Sequence, residues 1–302
     1  MNRPLVSIVS LCWNRKDEIL ESLAQIHKID YPHLDVIVVD NASNDGTAEA
    51  IEEKYPGVRL IRMFKNIGIE AYNIGFKNAH GDYIVILDDD SFPHPQAISN
   101  MVAKFEADPQ LGIVAFDVRN VCTWDAAQAE QPPILTPTGA STAAEAEGYL
   151  LAFNGAGAGI RRDLFERVGF YPEEFFLYWN EQDTAFRVLQ AGYRIRFFTD
   201  VIAYHKYAPT NRTSWRAPFY YTRNAFWLIW KNYPFNMAIH LTIRMMYKCF
   251  YASLEQHTLI YLRAMLRAFL DAGAIKNKRA PVDHKIARAL RIPFDVAFTF
   301  YR

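Results

Sequence analysis

Short apolar runs and amphipathic stretches alternate along the N-terminal part of the chain. Residues 5–11 alternate as a strand, and the loop Cys12-Trp13-Asn14-Arg15 leads into apolar positions at helical spacing from about Asp17 to His27. Asp35 to Asp40 forms a second strand ending in an acid, and Asn41 to Thr47 supplies turn residues and an N-cap for a helix to about Lys54. Val58 to Met63 predicts a third short strand, after which Asn66-Ile67-Gly68 opens a helix through Asn78. Gly81-Asp82 then turns the chain into Tyr83-Ile84-Val85-Ile86-Leu87. That run has the character of a strand buried on both faces, and it stops abruptly at Asp88-Asp89-Asp90.

The alternation continues with a helix from about Pro95 to Ala107 and a strand from Leu111 to Val118. Asn120 to about Ala146, rich in Ala, Pro and Thr, has the composition of a long surface loop of the kind that carries substrate contacts. Arg162 to Val168 reads as a short helix closed by Gly169. Phe175 to Trp179 runs into Asn180-Glu181-Gln182-Asp183, with Glu181 just before a helix that ends near Gly192. Strands at Arg194–Phe198 and Val201–Tyr204 lead to His205. Strands alternating with helices imply an α/β fold with a mostly parallel central sheet covered on both faces.

Composition excludes disorder and bounds the size: 302 residues, 51% hydrophobic and 15% aromatic, suffice for one large domain with an extension. Cys12, Cys122 and Cys249 are far apart and show no disulfide or zinc spacing, which fits a reducing, cytoplasmic setting. Leu5 to Trp13 is followed by charged residues without a small-residue cleavage site and is expected to be a strand rather than a leader. No apolar run reaches the ~20 residues of a membrane-spanning helix. A net charge of zero conceals a division: residues 1–205 hold 17 Lys and Arg against 29 Asp and Glu, residues 206–302 hold 16 against 4. The two parts face different partners.

Three adjacent carboxylates at a strand tip repel one another, and a divalent cation or ordered donors would neutralise them; the other reading is a solvated acidic turn that caps the helix after Ser91 and Pro93. Glu181 and Asp183 stand at a helix start, where capping accounts for Asp183 as well as catalysis does, and Arg187 is spaced to pair with it. His205 alone reads as structural. Gly155-Ala156-Gly157-Ala158-Gly159 fits neither phosphate-loop spacing, and close backbone packing beside the site explains it better.

Taken in order, Val6-Ser7-Ile8-Val9 with Asn14-Arg15, Val38-Val39-Asp40-Asn41-Ala42-Ser43 with Asp45-Gly46-Thr47, Asn66-x-Gly68 with Asn73-x-Gly75, Leu87-Asp88-Asp89-Asp90, and Asn180-Glu181-Gln182-Asp183 with Arg187 resemble the family 2 inverting glycosyltransferases of the GT-A fold. The set looks most like bacterial rhamnosyl- and galactofuranosyltransferases that build surface glycans. The resemblance covers roughly residues 5–205 and departs from the usual pattern where Glu181 occupies the position of a catalytic Asp.

The resemblance implies a Rossmann-like GT-A domain, expected over 1–230 with a nucleotide-sugar half to about 118 and an acceptor half beyond it; the charge division and helical pattern that follow mark a helical, basic extension over 231–302. It assigns Glu181, with Asp183, to catalysis, and Asn14, Arg15, Asp40, Asn66, Gly68, Asp88 and Asp89 to the nucleotide. Asp88, Asp90 and His205 would hold Mn²⁺ or Mg²⁺. Asp40 would accept the imino N–H of uracil or thymine, favouring a UDP- or dTDP-sugar donor, with a glycan or lipid-linked acceptor. A sugar nucleotidyltransferase and a non-catalytic sugar-nucleotide-binding or assembly protein are the alternatives.

Aromatics from Trp215 to Tyr233 interleave with Arg212, Arg216, Arg223 and Lys231, and two helical stretches follow, Met237–Leu254 and Thr258–Ala272. Basic and aromatic side chains together suit an anionic membrane surface on the cytoplasmic face; core closure and a homodimer contact are the competing explanations, and nucleic acid is not expected.

Overall fold

The computed structural model describes residues 3–121, 153–206, 215–290, 292 and 294–300. Most of the expected Asn120–Ala146 loop, Cys122 and Arg212 lie outside them.

Eight strands form one sheet in the order β3-β2-β1-β4-β7-β6-β8-β5. The first half is the predicted parallel unit: β1 (Val6–Cys12), β2 (Leu34–Asp40), β3 (Arg59–Arg62) and β4 (Tyr83–Asp88), connected through α1 (Lys16–Ile26), α2 (Thr47–Lys54) and α3 (Tyr72–Asn78). The alternation along these strands serves two cores. Val9, Ile37, Val39, Ile84 and Ile86 face one, and Ile8, Val38, Val85 and Leu87 the other, which is why these runs are almost wholly apolar. From β1 the chain winds outward through β2 and β3, then returns to the other side of β1 as β4. That reversal opens a crevice at the carboxyl ends of β1 and β4, where Leu11 is paired with Asp88 and ligands bind in open α/β sheets.

The second half is mixed. β5 (Ser91–Pro93) is a strand between the acidic tip and the following helix, where the sequence pattern predicts no element; α4 (Ala97–Ala107) follows it, then β6 (Leu111–Val121) and β7 (Ala158–Arg161), which runs antiparallel between β4 and β6. The two strands expected after Gly192 are one, β8 (Arg194–Lys206), parallel to β6 through an irregularity where Phe116 pairs with Phe198 and Asp117 with Ile202. Extra residues on β8 at that point absorb the break seen in the sequence. β5 closes the sheet by pairing antiparallel with β8, Ser91 opposite His205.

Helices α5 (Arg162–Val168) and α6 (Asn180–Gln190) precede β8, and the chain ends in α7 (Arg216–Asn232), α8 (Phe235–Glu255), α9 (Ile260–Leu270) and α10 (His284–Ala289). Phe226, Trp227 and Tyr233 are buried in the same core as Val9 and Ile86, so these aromatics close the core, as the competing explanation held. The expected boundary at residue 230 falls inside α7. No helix among the described residues is long and apolar enough to cross a membrane.

Candidate active site

The pairing of β5 with β8 brings together residues far apart in sequence. Asp90 sits where β4 turns into β5, and Lys206 N–H donates to its backbone carbonyl at 2.9 Å, so the neighbouring His205 is carried to the acidic tip. Nε2 of His205 is 3.1 Å from Asp90 Oδ1. Ligand atoms of Asp88, Asp90 and His205 all lie within 4.8 Å of one another. Nδ1 of His205 donates to Asn120 Oδ1 at 2.9 Å, which turns Nε2 toward the carboxylates. Nε2 of His205 thus faces Asp90 Oδ1 across a hydrogen-bonding distance, a place that a cation shared by the two side chains would take over from a proton. Two carboxylates and one imidazole suit a divalent ion such as Mn²⁺ or Mg²⁺, so this group could hold a metal.

The other acid is tied back. Arg15 Nη1 donates to Asp89 Oδ1 at 2.9 Å and Nη2 reaches Asp90 Oδ2 at 2.8 Å. Burial pushes Asp89 well above the usual carboxylate range, against the pull of Arg15 and with Asp90 and Asp88 adding to the rise. Burial also opposes ionisation of Asp90, but the bond from His205 and the Arg15 guanidinium outweigh it and hold that carboxyl at about 2. Tyr72 on α3 donates its hydroxyl to Leu87 O at 2.8 Å, with Asp88 Oδ1 at 3.4 Å, fixing the tip from below.

Glu181 reaches the same place from α6. A Cβ built on Gly155 would lie 2.9 Å from Glu181 Oε1 and 3.7 Å from Asp88 Oδ1, so the bare glycine backbone lies between the Glu181 carboxyl and the acidic tip. The glycine repeat thus serves close packing, as its spacing suggested. Glu181 is not ahead of the helix but in its first turn. Its carboxyl is raised from 4.5 to about 7, chiefly by burial, with the charge of Asp88 adding, against bonds from its own backbone N–H and from Asn180.

Asp183 is placed differently. It is buried against α7, 3.1 Å from Arg187 Nη2 and 3.0 Å from Lys231 Nζ, and it accepts from Asn232 Nδ2 at 2.9 Å. It does not line the cleft; it fastens the helix that carries Glu181.

The cleft, about 1050 Å³, is lined by Asn14, Arg15, Asn66, Gly68 and the acidic tip together with Phe176 to Gln182. Asn14 Oδ1 accepts from Asn44 N–H at 2.8 Å, closing the β1 and β2 loops on each other. Asn66 and Asn41 lock the approach to Gly68: Asn41 Nδ2 donates to Asn66 Oδ1 and to Gly68 O, both at 3.0 Å. Gly68 meets the Phe176 carbonyl rather than only a ligand. At φ +74°, a Cβ here would lie 2.1 Å from Phe176 O. Gly68→Ala is expected to lose about 1–3 kcal/mol from the backbone conformation alone, and more from the clash. Urea denaturation reads this directly, and wild-type stability would refute the contact's importance.

Asp40 is not among the lining residues. It is 3% exposed, with Oδ1 accepting Ser43 N–H at 3.2 Å, because the turn after β2 draws the carboxylate into itself.

Sequence reasoning missed several contributors. Phe176, Tyr178 and Trp179 all have positive φ, a costly conformation for non-glycine residues, in the stretch that presents Glu181. Asn224 on α7 holds it, Nδ2 donating to Phe175 O at 2.9 Å and Leu177 O at 2.6 Å. Trp179 Nε1 donates to Tyr221 O at 2.8 Å. Arg216 stacks 5.5 Å over Trp13, both lining the cleft. Asn224 stands among aromatics with no motif around it; Asn41 was visible in the β2 motif but carried no role.

Residues 7–169, more than half of the chain, match the family described as glycosyl transferase family 2. The chain belongs to that family. It is similar to the poly-β-1,6-N-acetyl-D-glucosamine synthase of Staphylococcus epidermidis, 29% identical over 117 residues, or 38% of this chain and 28% of that one. The chain therefore spans little more than a quarter of that relative. Among solved structures, the mannosyltransferase PcManGT from Pyrobaculum calidifontis, in complex with GDP-Man and Mn²⁺, aligns with a TM-score of 0.59 at 22% identity, covering 100% of this chain and 85% of that one. S. aureus TarS in complex with UDP-GlcNAc aligns with a TM-score of 0.57 at 18% identity, covering 74% of this chain and 66% of that one. The fold is GT-A.

Proposed function

We propose that this family 2 chain moves a sugar from a UDP- or dTDP-sugar to a hydroxyl of a glycan or lipid-linked acceptor, with inversion, in the synthesis of a surface polysaccharide. The observation that carries the reading is the convergence of Glu181 and the Asp88, Asp90 and His205 group on either side of Gly155 in one cleft. The acceptor oxygen forms its bond to the anomeric carbon as that carbon's bond to the diphosphate breaks. The proton from the acceptor hydroxyl goes to Glu181. Bound Mn²⁺ or Mg²⁺, held by Asp88, Asp90 and His205, would neutralise charge on the departing diphosphate. Arg15 keeps the acidic tip in place, and Arg216 supplies a second cation in the cleft.

Asn14, Asn66 and Gly68 line the nucleotide side, and Tyr178 stacked on Tyr221, ring centroids 4.0 Å apart, forms an aromatic wall suited to a sugar face. Asp183 acts by positioning α6, not by touching substrate. For the base, Asp40 lies one residue from cleft-lining Asn41, and a carboxylate accepts the imino N–H of uracil or thymine. The neighbours carry both UDP- and GDP-sugars, so the base is tested by a thermal-shift screen of UDP-, dTDP- and GDP-sugars with Mn²⁺.

The expected result is stabilisation by UDP- or dTDP-sugars, about 3 kcal/mol at a hundredfold excess over Kd. Stabilisation by GDP-sugars alone would remove Asp40 from base recognition. Released nucleoside diphosphate marks transfer; pyrophosphate would mark a nucleotidyltransferase, and tight donor binding without turnover a binding protein.

A further inference from the structure

Helix α8 turns an apolar side outward. Phe235, Ile243, Tyr247 and Leu254 recur at helical spacing and are all exposed, Leu254 at 77%. Its opposite side, with Met245 and Cys249, is buried in the core, so among the described residues the outward side chains complete nothing. Leu266 and Leu270 extend the surface along α9, which packs beside α8. A continuous face of this kind, unlike scattered exposed apolar residues, marks a docking surface.

Charge decides the occupant. Arg263 and Arg267 are exposed on α9, Arg267 3.7 Å from Asp271, and residues 206–302 carry 16 Lys and Arg against 4 Asp and Glu. A second copy would set this positive surface against itself. An anionic lipid surface offers opposite charge to the arginines and hydrocarbon to the leucines at once. We propose that the α8–α9 pair is a membrane-docking element, lying in the plane of an anionic bilayer with its outward apolar side chains below the headgroups. No helix among the described residues crosses a bilayer, so the contact is peripheral.

The docked face communicates with the cleft. Lys248 on α8 pairs with Asp295, and Arg244 lies 3.7 Å from the same carboxylate. Asp295 belongs to the 3-10 turn Phe294–Phe298, whose Val296 lines the cleft, and Phe294 packs 5.6 Å from Trp179, two residues before Glu181. Docking through α8 would set the Val296 part of the cleft near the lipid surface, where a lipid-linked hydroxyl would be presented. This last step rests on the glycosyl-transfer reading; the docking itself does not.

The test is flotation of the full chain with phosphatidylcholine vesicles containing or lacking phosphatidylglycerol. Binding is expected only with the anionic lipid and is expected to fall with salt. Ile243→Glu with Leu254→Glu should abolish it. Arg263→Gln with Arg267→Gln should weaken it about five-fold for each charge removed. Circular dichroism and thermal melting of both variants should match wild type, since all four positions are exposed. Wild-type protein that stays off phosphatidylglycerol vesicles at low salt would overturn the proposal. So would a dimer in sedimentation velocity that Ile243→Glu dissociates, which would assign the face to a second copy. Failure to bind any nucleotide-sugar would count against the transfer reaction alone.

Discussion

Glu181→Gln should leave donor binding intact and cut turnover by about 10²–10⁴-fold, the usual contribution of a positioned base. The amide keeps the shape of the side chain beside Gly155 but cannot take a proton from the acceptor. Nucleoside-diphosphate release gives the rate, and a thermal shift with donor gives the binding. Near wild-type turnover would remove Glu181 from the chemistry.

The pH dependence follows from the raised carboxyl. Only ionised Glu181 is a base, so the rate should climb with pH on a limb above the ordinary 4.5 and no higher than about 7. Burial, the largest cause of the rise, persists in the working enzyme; a cation at Asp88 would offset only the smaller charge effect. Stability runs the opposite way. A carboxyl raised from 4.5 to about 7 makes the folded state bind more protons across that window, so its contribution is lost as pH rises through it. Above the window Glu181→Gln should therefore be more stable than wild type, by at most about 3 kcal/mol, and below it the two should converge. Urea denaturation at both ends decides this. A variant that loses both rate and stability at high pH would identify Glu181 as a structural acid.

How much of this was legible depended on whether a feature is local. The β4 run ending in three acids could be read because a strand buried on both faces shows as a continuous apolar stretch. β5 could not: Ser91-Phe92-Pro93 has no period of its own and becomes a strand only by pairing with β8. His205 fails alone for the same reason, since its meaning comes from lying opposite Ser91. Sequence separated Glu181 from Asp183 by placing it ahead of the helix; both in fact lie in the first turn, where two positions diverge by roughly 200° around the axis, so one faces the cleft and the other Lys231. In α7, Pro218 and the density of aromatics hid the helical period, although proline is tolerated in a first turn. With that helix went Asn224 and its hold on the strained segment before Glu181.

Asp90→Asn should abolish metal-dependent nucleotide binding while the protein stays folded. The amide oxygen can still accept from Arg15, now 2.8 Å from Asp90 Oδ2, so the turn keeps a tether. What disappears is the negative charge that sets Asp90 apart. Asp89 is buried and committed to Arg15, whereas Asp90 is held ionised at about 2 and shares its position with His205. Without that charge, the remaining carboxylate and imidazole leave a hard divalent cation under-coordinated and poorly neutralised. Removing even an outer-shell partner of a metal site typically costs about 10–100-fold in affinity, so loss of a direct ligand should cost at least that. Thermal shift with UDP, with and without Mn²⁺, reads the effect without depending on turnover: wild type should gain stability from the pair, the variant from neither. If Mn²⁺ and UDP together stabilise Asp90→Asn as they do wild type, the cation is not held by this group. The closeness of Asp88, Asp90 and His205 would then reflect only the packing of β5 on β8.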